Sequence, residues 1–315
     1  MSDNREVVLS VKGLNKYFGK KQILHDLELE CYRGEVFGFL GPNGAGKTTT
    51  IKMAVGLLRI DEGEITICGH NVEKEFEEAM ANVGGIVENP EMYKFMTGRD
   101  NLKQYARMRG LDFSEIDKAV EIVKLSNRIN EKVSGYSLGM RQRLGVAQAL
   151  MHKPRLLILD EPTNGLDPQG IKELRDILRQ LAHESGVCVM VSSHLMSEME
   201  LMCDRVGIIA EGHMIGTYTM DEIKSRSEGD KASYIIETDD EKAAAKVLDI
   251  DVTSVGGGKL RIDLDSDTAR QNIAGIIKQL SAADINIYSV VCEENKKLED
   301  VFIELTNREG DGQIA

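Results

Sequence analysis

No run of apolar residues in this sequence is long enough to cross a bilayer. The longest, such as RLLIL at Arg155–Leu159 and VCVMV at Val187–Val191, fall far short of the roughly 20 residues a spanning helix needs. A basic excess is missing too. With 52 acidic against 39 basic residues and a net charge of −13, the chain on average repels nucleic acid and acidic lipid headgroups, so no nucleic-acid partner is expected. The opening residues MSDNREVV lack the basic-then-apolar order of a secretory signal, which leaves the cytoplasm as the expected compartment. Cys31, Cys68, Cys188, Cys203 and Cys292 are odd in number, widely spaced and without a CxxC pair. That favours buried reduced thiols over a disulfide framework or a zinc site. Internal repeats, low-complexity tracts and sustained heptads are absent as well, which removes solenoids and long coiled coils.

What is present is enough apolar residue for a substantial core, 42% of 315 residues, and a length that suggests about two domains. From Val7 to about Lys224, short β-rich runs alternate with helical stretches and glycine-marked turns, the pattern of an α/β domain. Strands are expected at Glu35–Leu40, Leu156–Asp160, Val187–Val191 and Val206–Ile209. Between Arg99 and Asn130 the apolar residues Leu102, Tyr105, Ala106, Met108, Leu111, Ile116, Val120 and Val123 follow helical spacing, which predicts an inserted helical subdomain. The polar stretch SRSEGDKAS, Ser225–Ser233, reads as a linker. Beyond it the pattern predicts a strand at Tyr234–Glu237, a helix at Glu241–Leu248, a strand pair around Gly256–Gly258, a helix near Thr268–Leu280 and a strand at Ile285–Val291.

Chemistry enters at Gly41, Pro42, Asn43, Gly44, Ala45, Gly46, Lys47 and Thr48, which fit G-x-x-x-x-G-K-[ST] between the apolar strand VFGFL and the helical run TTIKMAVGLL. Three glycines let successive N–H groups face one point, the helix start adds positive potential, and Lys47 supplies a mobile cation for phosphates. Thr48 is the expected Mg²⁺ ligand. RLLILDE then delivers Asp160 and Glu161 at the C-terminal end of a buried strand, where α/β sheets bind ligands. Successive side chains point opposite ways, so Asp160 can address Mg²⁺ while Glu161 addresses an attacking water.

The stretch Tyr136-Ser137-Leu138-Gly139-Met140-Arg141-Gln142 resembles the signature motif of ABC ATPases, whose usual core is LSGGQ. On that resemblance, which covers nearly all of residues 5–225, the chain is expected to be an α/β P-loop ABC ATPase cassette at 1–225. A helical subdomain is inserted at about 90–152, and a small C-terminal α+β domain follows at 226–315. The resemblance implies ATP and Mg²⁺ as ligands. Gly41 to Thr49 hold the nucleotide, Ser137 and Gly139 grip the γ-phosphate of a facing cassette, and Asn164–Asp167 form a D-loop at that interface. His194 is the switch histidine and Phe18 the residue that stacks on adenine, with Tyr17 as the alternative. Lys47, Glu161 and His194 carry catalysis. A homodimer or paired cassette, working with separate transmembrane permease subunits on the inner face of the membrane, follows from the same resemblance. The transported molecule itself is not bound by this chain.

Departures from the pattern are informative. Leu138 replaces a glycine and Met140 the glutamine of the signature, and where a Q-loop glutamine is expected the chain reads GIVENP, making Glu88 the candidate. A carboxylate there either joins the Mg²⁺ and water network or is a surface acid. With SLGMRQRLG and the ending KLEDVFIELT at Lys297–Thr306, the sequence is similar to ATPases of the bacitracin-export and lantibiotic-immunity type; exporters of other small molecules share that ending. A translation-associated factor would carry two cassettes. A repair ATPase would part Lys47 from Ser137 by a coiled coil rather than by 90 residues. A regulatory nucleotide sensor with impaired turnover is the remaining alternative.

Overall fold

The computed structural model describes residues 5–228, 231–248, 250–265, 268–292 and 302–303. Two compact units meet in sequence at Met220/Asp221. The first contains β1 (Val7–Phe18), β2 (Lys21–Tyr32), β3 (Val36–Leu40), α1 (Lys47–Ala54), β4 (Glu62–Ile67), β5 (His70–Asn71), α2 (Phe76–Ala81) and β6 (Val83–Ile86). A helical stretch follows, α3 (Gly98–Arg109), α4 (Ser114–Ile122) and α5 (Leu138–Leu150). The unit is completed by β7 (Leu156–Leu159), α6 (Pro168–His183), β8 (Cys188–Ser193), α7 (Met196–Met202), β9 (Arg205–Ala210) and β10 (His213–Thr219).

Its main sheet has the order β10-β9-β3-β8-β7-β6. All neighbours are parallel except the edge pair β10 and β9. Every residue of β3, β7 and β8 is buried, as a parallel sheet covered on both faces requires. A second, antiparallel sheet runs β2-β1-β4-β5. Leu9, Val11, Ile65 and Ile67 from that sheet share one apolar core with Phe37, Phe39, Ile158 and Met190 of the parallel sheet and with Ile51 and Met53 of α1. The core therefore clamps α1 between the two sheets, so the loop entering α1 is held by packing on both sides.

The helical stretch breaks where the backbone must reverse hand. Gly110 caps α3 with φ 65°, a conformation cheap only for glycine, and Lys124 at φ 56° follows the end of α4.

The second unit comprises α8 (Met220–Glu228), β11 (Lys231–Thr238), α9 (Glu241–Val247), β12 (Val252–Gly256), β13 (Lys259–Asp265), α10 (Ala269–Ala282) and β14 (Ile287–Cys292). From β11 to β14 this is a β-α-β-β-α-β unit with strand order β12-β13-β11-β14, the split arrangement of ferredoxin-like domains. Along β13, Leu260, Ile262 and Leu264 are buried and the residues between them exposed; the buried set packs with Ile236, Ile273, Ile276 and Leu280.

The expected linker is a correction. Ser225 to Glu228 continue α8, and Lys231 already begins β11. Polar composition does not by itself separate a loop from a helix. The Lys297–Thr306 ending lies outside the described residues except for Phe302 and Ile303.

One cap in this unit gives a direct test. Asp240 accepts from the N–H groups of Lys242 (3.0 Å) and Ala243 (2.9 Å) at the start of α9. Asp240→Ala is expected to destabilise the unit by about 1–2 kcal/mol, read as a lower Tm for that unit. An unchanged Tm would mean that packing alone holds the helix.

Candidate functional site

The C-terminal ends of three adjacent parallel strands deliver the chemistry. β3 runs into the loop Gly41–Gly46, β7 into Asp160 and Glu161, and β8 into Ser193 and His194. The loop needs its glycines for different reasons. Gly44 (φ 83°) and Gly46 (φ 111°) take left-handed backbone, whereas at Gly41 a Cβ would come within 2.3 Å of the Ile209 carbonyl oxygen. The loop is tied down by its neighbours: Gly41 N–H donates to Ser193 O (3.3 Å) and Gly212 N–H to Ala45 O (3.1 Å).

Lys47 is buried and donates to the carbonyls of Gly41 (2.7 Å) and Pro42 (3.2 Å), with its ammonium 3.6 Å from Glu161 Oε1. Burial pulls its pKa down from the ordinary lysine value, while Glu161 and Asp160 oppose the shift. Thr48 Oγ1 donates to Asp160 Oδ2 at 2.8 Å. A hydroxyl and a carboxylate held together at a helix start are the hard oxygen donors that Mg²⁺ takes, so this pair fits the expected metal. Glu161, at φ 46°, stands in a left-handed conformation rare for a side-chain-bearing residue. Its Oε2 lies 3.0 Å from His194 Nδ1 and accepts from Asn164 Nδ2 (3.3 Å). Lys47, Thr48, Asp160, Glu161 and His194 therefore form one connected group.

Known proteins are similar in sequence and in fold. Residues 24–164 match the ABC transporter family model. The chain is 46% identical over 303 residues to the ABC transporter ATP-binding protein YhcH of Bacillus subtilis (strain 168), covering 96% of each chain. It is 37% identical over 316 residues to the bacitracin transport ATP-binding protein BcrA of Enterococcus faecalis, covering 98% of this chain and 99% of that one. Among solved structures, an ATP-binding subunit of an ABC transporter aligns with TM-score 0.61 at 30% identity, over 69% of this chain and 92% of that chain. This chain belongs to the ATP-binding proteins of ABC transporters.

As a member of that family the chain binds ATP, and the family is one of ATP-hydrolysing enzymes. Ser137 caps α5 by accepting from Met140 N–H (3.2 Å), and Asp167 caps α6 by accepting from Gly170 N–H (3.0 Å). Among the described residues no hydrogen bond or ion pair joins Ser137, Gly139 or Asp167 to the Lys47 group. Leu138 and Gly165 line a cavity of about 680 Å³ with Asn89, Pro90, Arg141 and Asn164, the last of which donates to Glu161. Leu138, one of the two residues that depart from the signature, lies where a Cβ on Gly165 would meet it at 3.2 Å.

Phe18 is 52% exposed and Tyr17 37% exposed at the end of β1, and the Lys16 ammonium stands over the Phe18 ring, 5.6 Å from its centre. Glu88 is placed elsewhere than beside Thr48 and Asp160: its carboxylate pairs with Lys52 at 2.8 Å, which holds the Glu88 carboxyl below the usual carboxylate range.

Two contributors were missed by sequence reasoning. Ser192 Oγ donates to Asp160 Oδ1 (2.6 Å) and accepts from Glu161 N–H (2.8 Å), bridging the two acids. Glu198 Oε2 accepts from Thr163 (2.6 Å) and Ser193 (2.9 Å), joining the segments that carry Asn164 and His194. The available signal was the pair of hydroxyls that closes the otherwise apolar run VCVMV just before His194.

Proposed function

We propose that this chain hydrolyses ATP between two cassettes and drives a separate membrane permease that exports a peptide antibiotic of the bacitracin or lantibiotic kind, or a related drug. The observation that carries the reading is the division of the site. Lys47, Thr48, Asp160, Glu161 and His194 meet at the C-terminal end of one sheet, while among the described residues no hydrogen bond or ion pair joins Ser137 or Gly139 to them, which suits a role toward the nucleotide of a facing cassette. Gly41 to Thr49 cradle the phosphates, Phe18 or Tyr17 stacks on adenine, and Asp167 stands at the cassette interface. Thr48 and Asp160 hold Mg²⁺, which when bound supplies positive charge on the phosphate oxygens. Glu161 orients or deprotonates the attacking water, and Lys47 and His194 offset charge on the transferred phosphoryl group.

No helix among the described residues is long and apolar enough to cross a membrane, and the chain takes its place at the inner membrane face through the permease. The permease contact is proposed where apolar side chains stand in solvent. Leu57 and Phe76 are exposed and line a groove of about 480 Å³ with Val55, Met80, Val87 and Arg109, next to the loop that carries Glu88. Phe76→Asp is expected to weaken assembly with the permease about tenfold or more, the loss typical of an aromatic interface anchor, with ATP binding by the isolated chain unchanged. Pull-down of the permease by the variant at wild-type strength would place the contact elsewhere.

The substrate reading is tested in cells. Deleting the gene should raise sensitivity to bacitracin or a lantibiotic, with resistance restored by the wild-type gene and not by Glu161→Gln. Unchanged sensitivity across peptide antibiotics would end the peptide reading and leave the ATPase intact.

A further inference from the structure

The two oxygens of Glu161 are held unequally. Oε2 accepts from Asn164 Nδ2 at 3.3 Å and lies 3.0 Å from His194 Nδ1, while Oε1 stands 3.6 Å from the Lys47 ammonium. Asn164 and His194 come from different segments, one beyond β7 and one beyond β8. Each directly follows a buried hydroxyl residue, Thr163 and Ser193 respectively. Both hydroxyls donate to a single atom, Glu198 Oε2, at 2.6 Å and 2.9 Å. One carboxylate oxygen thus sets the spacing of the two segments that grip Glu161.

Glu198 is well placed to be a fixed post. It lies in the first turn of α7, whose Met196, Met199 and Met202 are buried, and Met199 sits so close to β3 that a Cβ on Gly38 would meet its Sδ at 2.7 Å. Ser193 Oγ in turn accepts from Leu195 N–H at 3.0 Å, closing the chain around His194. Glu161 needs such support from outside, because its backbone is left-handed, φ 46°, a conformation that persists where the surroundings over-determine it. The phosphate loop is tied to the same region through backbone: Gly41 N–H donates to Ser193 O at 3.3 Å, and β3 pairs with β8 as far as Leu40 and Ser193. Those links do not use the Ser193 hydroxyl.

Building on the reading of Glu161 as the base, we propose that Glu198 is a positioning residue for hydrolysis: by tying Thr163 to Ser193 it sets Asn164 and His194 on Glu161 Oε2, so that Oε1 is the oxygen presented to the attacking water. Glu198 acts through the two hydroxyls and takes no part in the proton transfer. Its loss lets the Glu161 carboxylate turn away from the water while the phosphate loop keeps its own backbone ties.

Steady-state ATPase assays with parallel ATP titrations on the full chain test this. Glu198→Ala should lower kcat about tenfold to a hundredfold, the loss associated with a displaced catalytic group, with KM and ATP affinity at their wild-type values. Glu198→Gln should restore most of the rate, since its amide oxygen accepts from both hydroxyls, though less strongly than a carboxylate. Thr163→Val combined with Ser193→Ala removes the same two bonds from the other side and should reproduce the fall in kcat, which keeps the test open if Glu198→Ala does not fold. In the Glu161→Gln background no base is left to orient, so Glu198→Ala should cost nothing further in single turnovers. Unchanged kcat in Glu198→Ala, a parallel loss of ATP affinity, no rescue by Glu198→Gln, or an equal loss in both backgrounds would make Glu198 a structural strut and overturn the proposal. Near-wild-type turnover of Glu161→Gln by itself would remove the reading of Glu161 as the base, and the proposal with it, whatever Glu198→Ala does.

Discussion

Replacing Glu161 with glutamine is expected to slow ATP turnover about a hundredfold to ten-thousandfold, the range for losing a general base, while nucleotide stays bound. The substitution keeps the shape of the side chain. A glutamine oxygen still accepts from Asn164, and the 3.0 Å contact with His194 Nδ1 can persist through the neutral amide. What disappears is the negative charge 3.6 Å from the Lys47 ammonium and the ability to take a proton from water. Losing that charge also frees Lys47, whose other partners are two carbonyls of its own loop, to bind phosphate more firmly. ATP affinity should therefore hold or rise as the rate falls. Single-turnover phosphate release with a parallel binding titration separates the two effects. Turnover reduced less than about tenfold would assign the base role to another group, and a matching loss of affinity would mean that Glu161 organises the loop instead of the water.

The parts of the fold that were legible in the sequence are those fixed by local rules. VFGFL, RLLIL and VCVMV are short apolar runs bounded by glycine or charge, and each became a fully buried parallel strand within one or two residues of its expected ends. The antiparallel sheet was not legible, for a reason visible in β1. Its pairing with β2 shifts register between Val11 and Leu14, where Gly13 takes φ 56°, so the alternation of buried and exposed residues that marks a strand is broken midway. The helices α3 and α4 were readable from spacing up to Val123, but the turns after Arg109 and Ile122 depend on single backbone reversals that periodicity does not register.

Within the site, residues adjacent in sequence to a strand end were placed well, since a strand delivers its last residues to one edge whatever lies beyond. Pairings between distant segments were not readable. Glu88 was read against the Mg²⁺ and water network, with a surface acid as the alternative, because the resemblance expects a Q-loop glutamine there. Nothing in the spacing says that Lys52, one turn beyond Thr48 on α1, pairs with it. Ser192 was passed over for the same reason, since its role exists only where β7 and β8 lie side by side.

The loop glycines offer the sharpest separation between strain and steric exclusion. Gly41→Ala is expected to cost about a hundredfold or more in ATP affinity and turnover, the loss associated with a displacement of about 1 Å in a positioned site. The added methyl would meet Ile209 O at 2.3 Å and Ile209 Cγ2 at 2.8 Å. Ile209 belongs to β9, which pairs with both β3 and β10, so the sheet holds its carbonyl fixed and the loop must move. The Gly41 carbonyl that accepts from Lys47 and the Gly41 N–H bonded to Ser193 move with it. Overpacking of this kind should also lower stability by about 1–3 kcal/mol. Gly44→Ala is the control. Its φ of 83° carries strain, but no other atom lies within 4 Å of the added methyl, so the cost should stay near 1–2 kcal/mol, about a five- to thirtyfold effect. Titrating ATP against both variants and comparing their Tm values checks the ranking. If Gly44→Ala proved the more damaging of the two, backbone conformation rather than the approach of β9 would be what shapes the phosphate cradle.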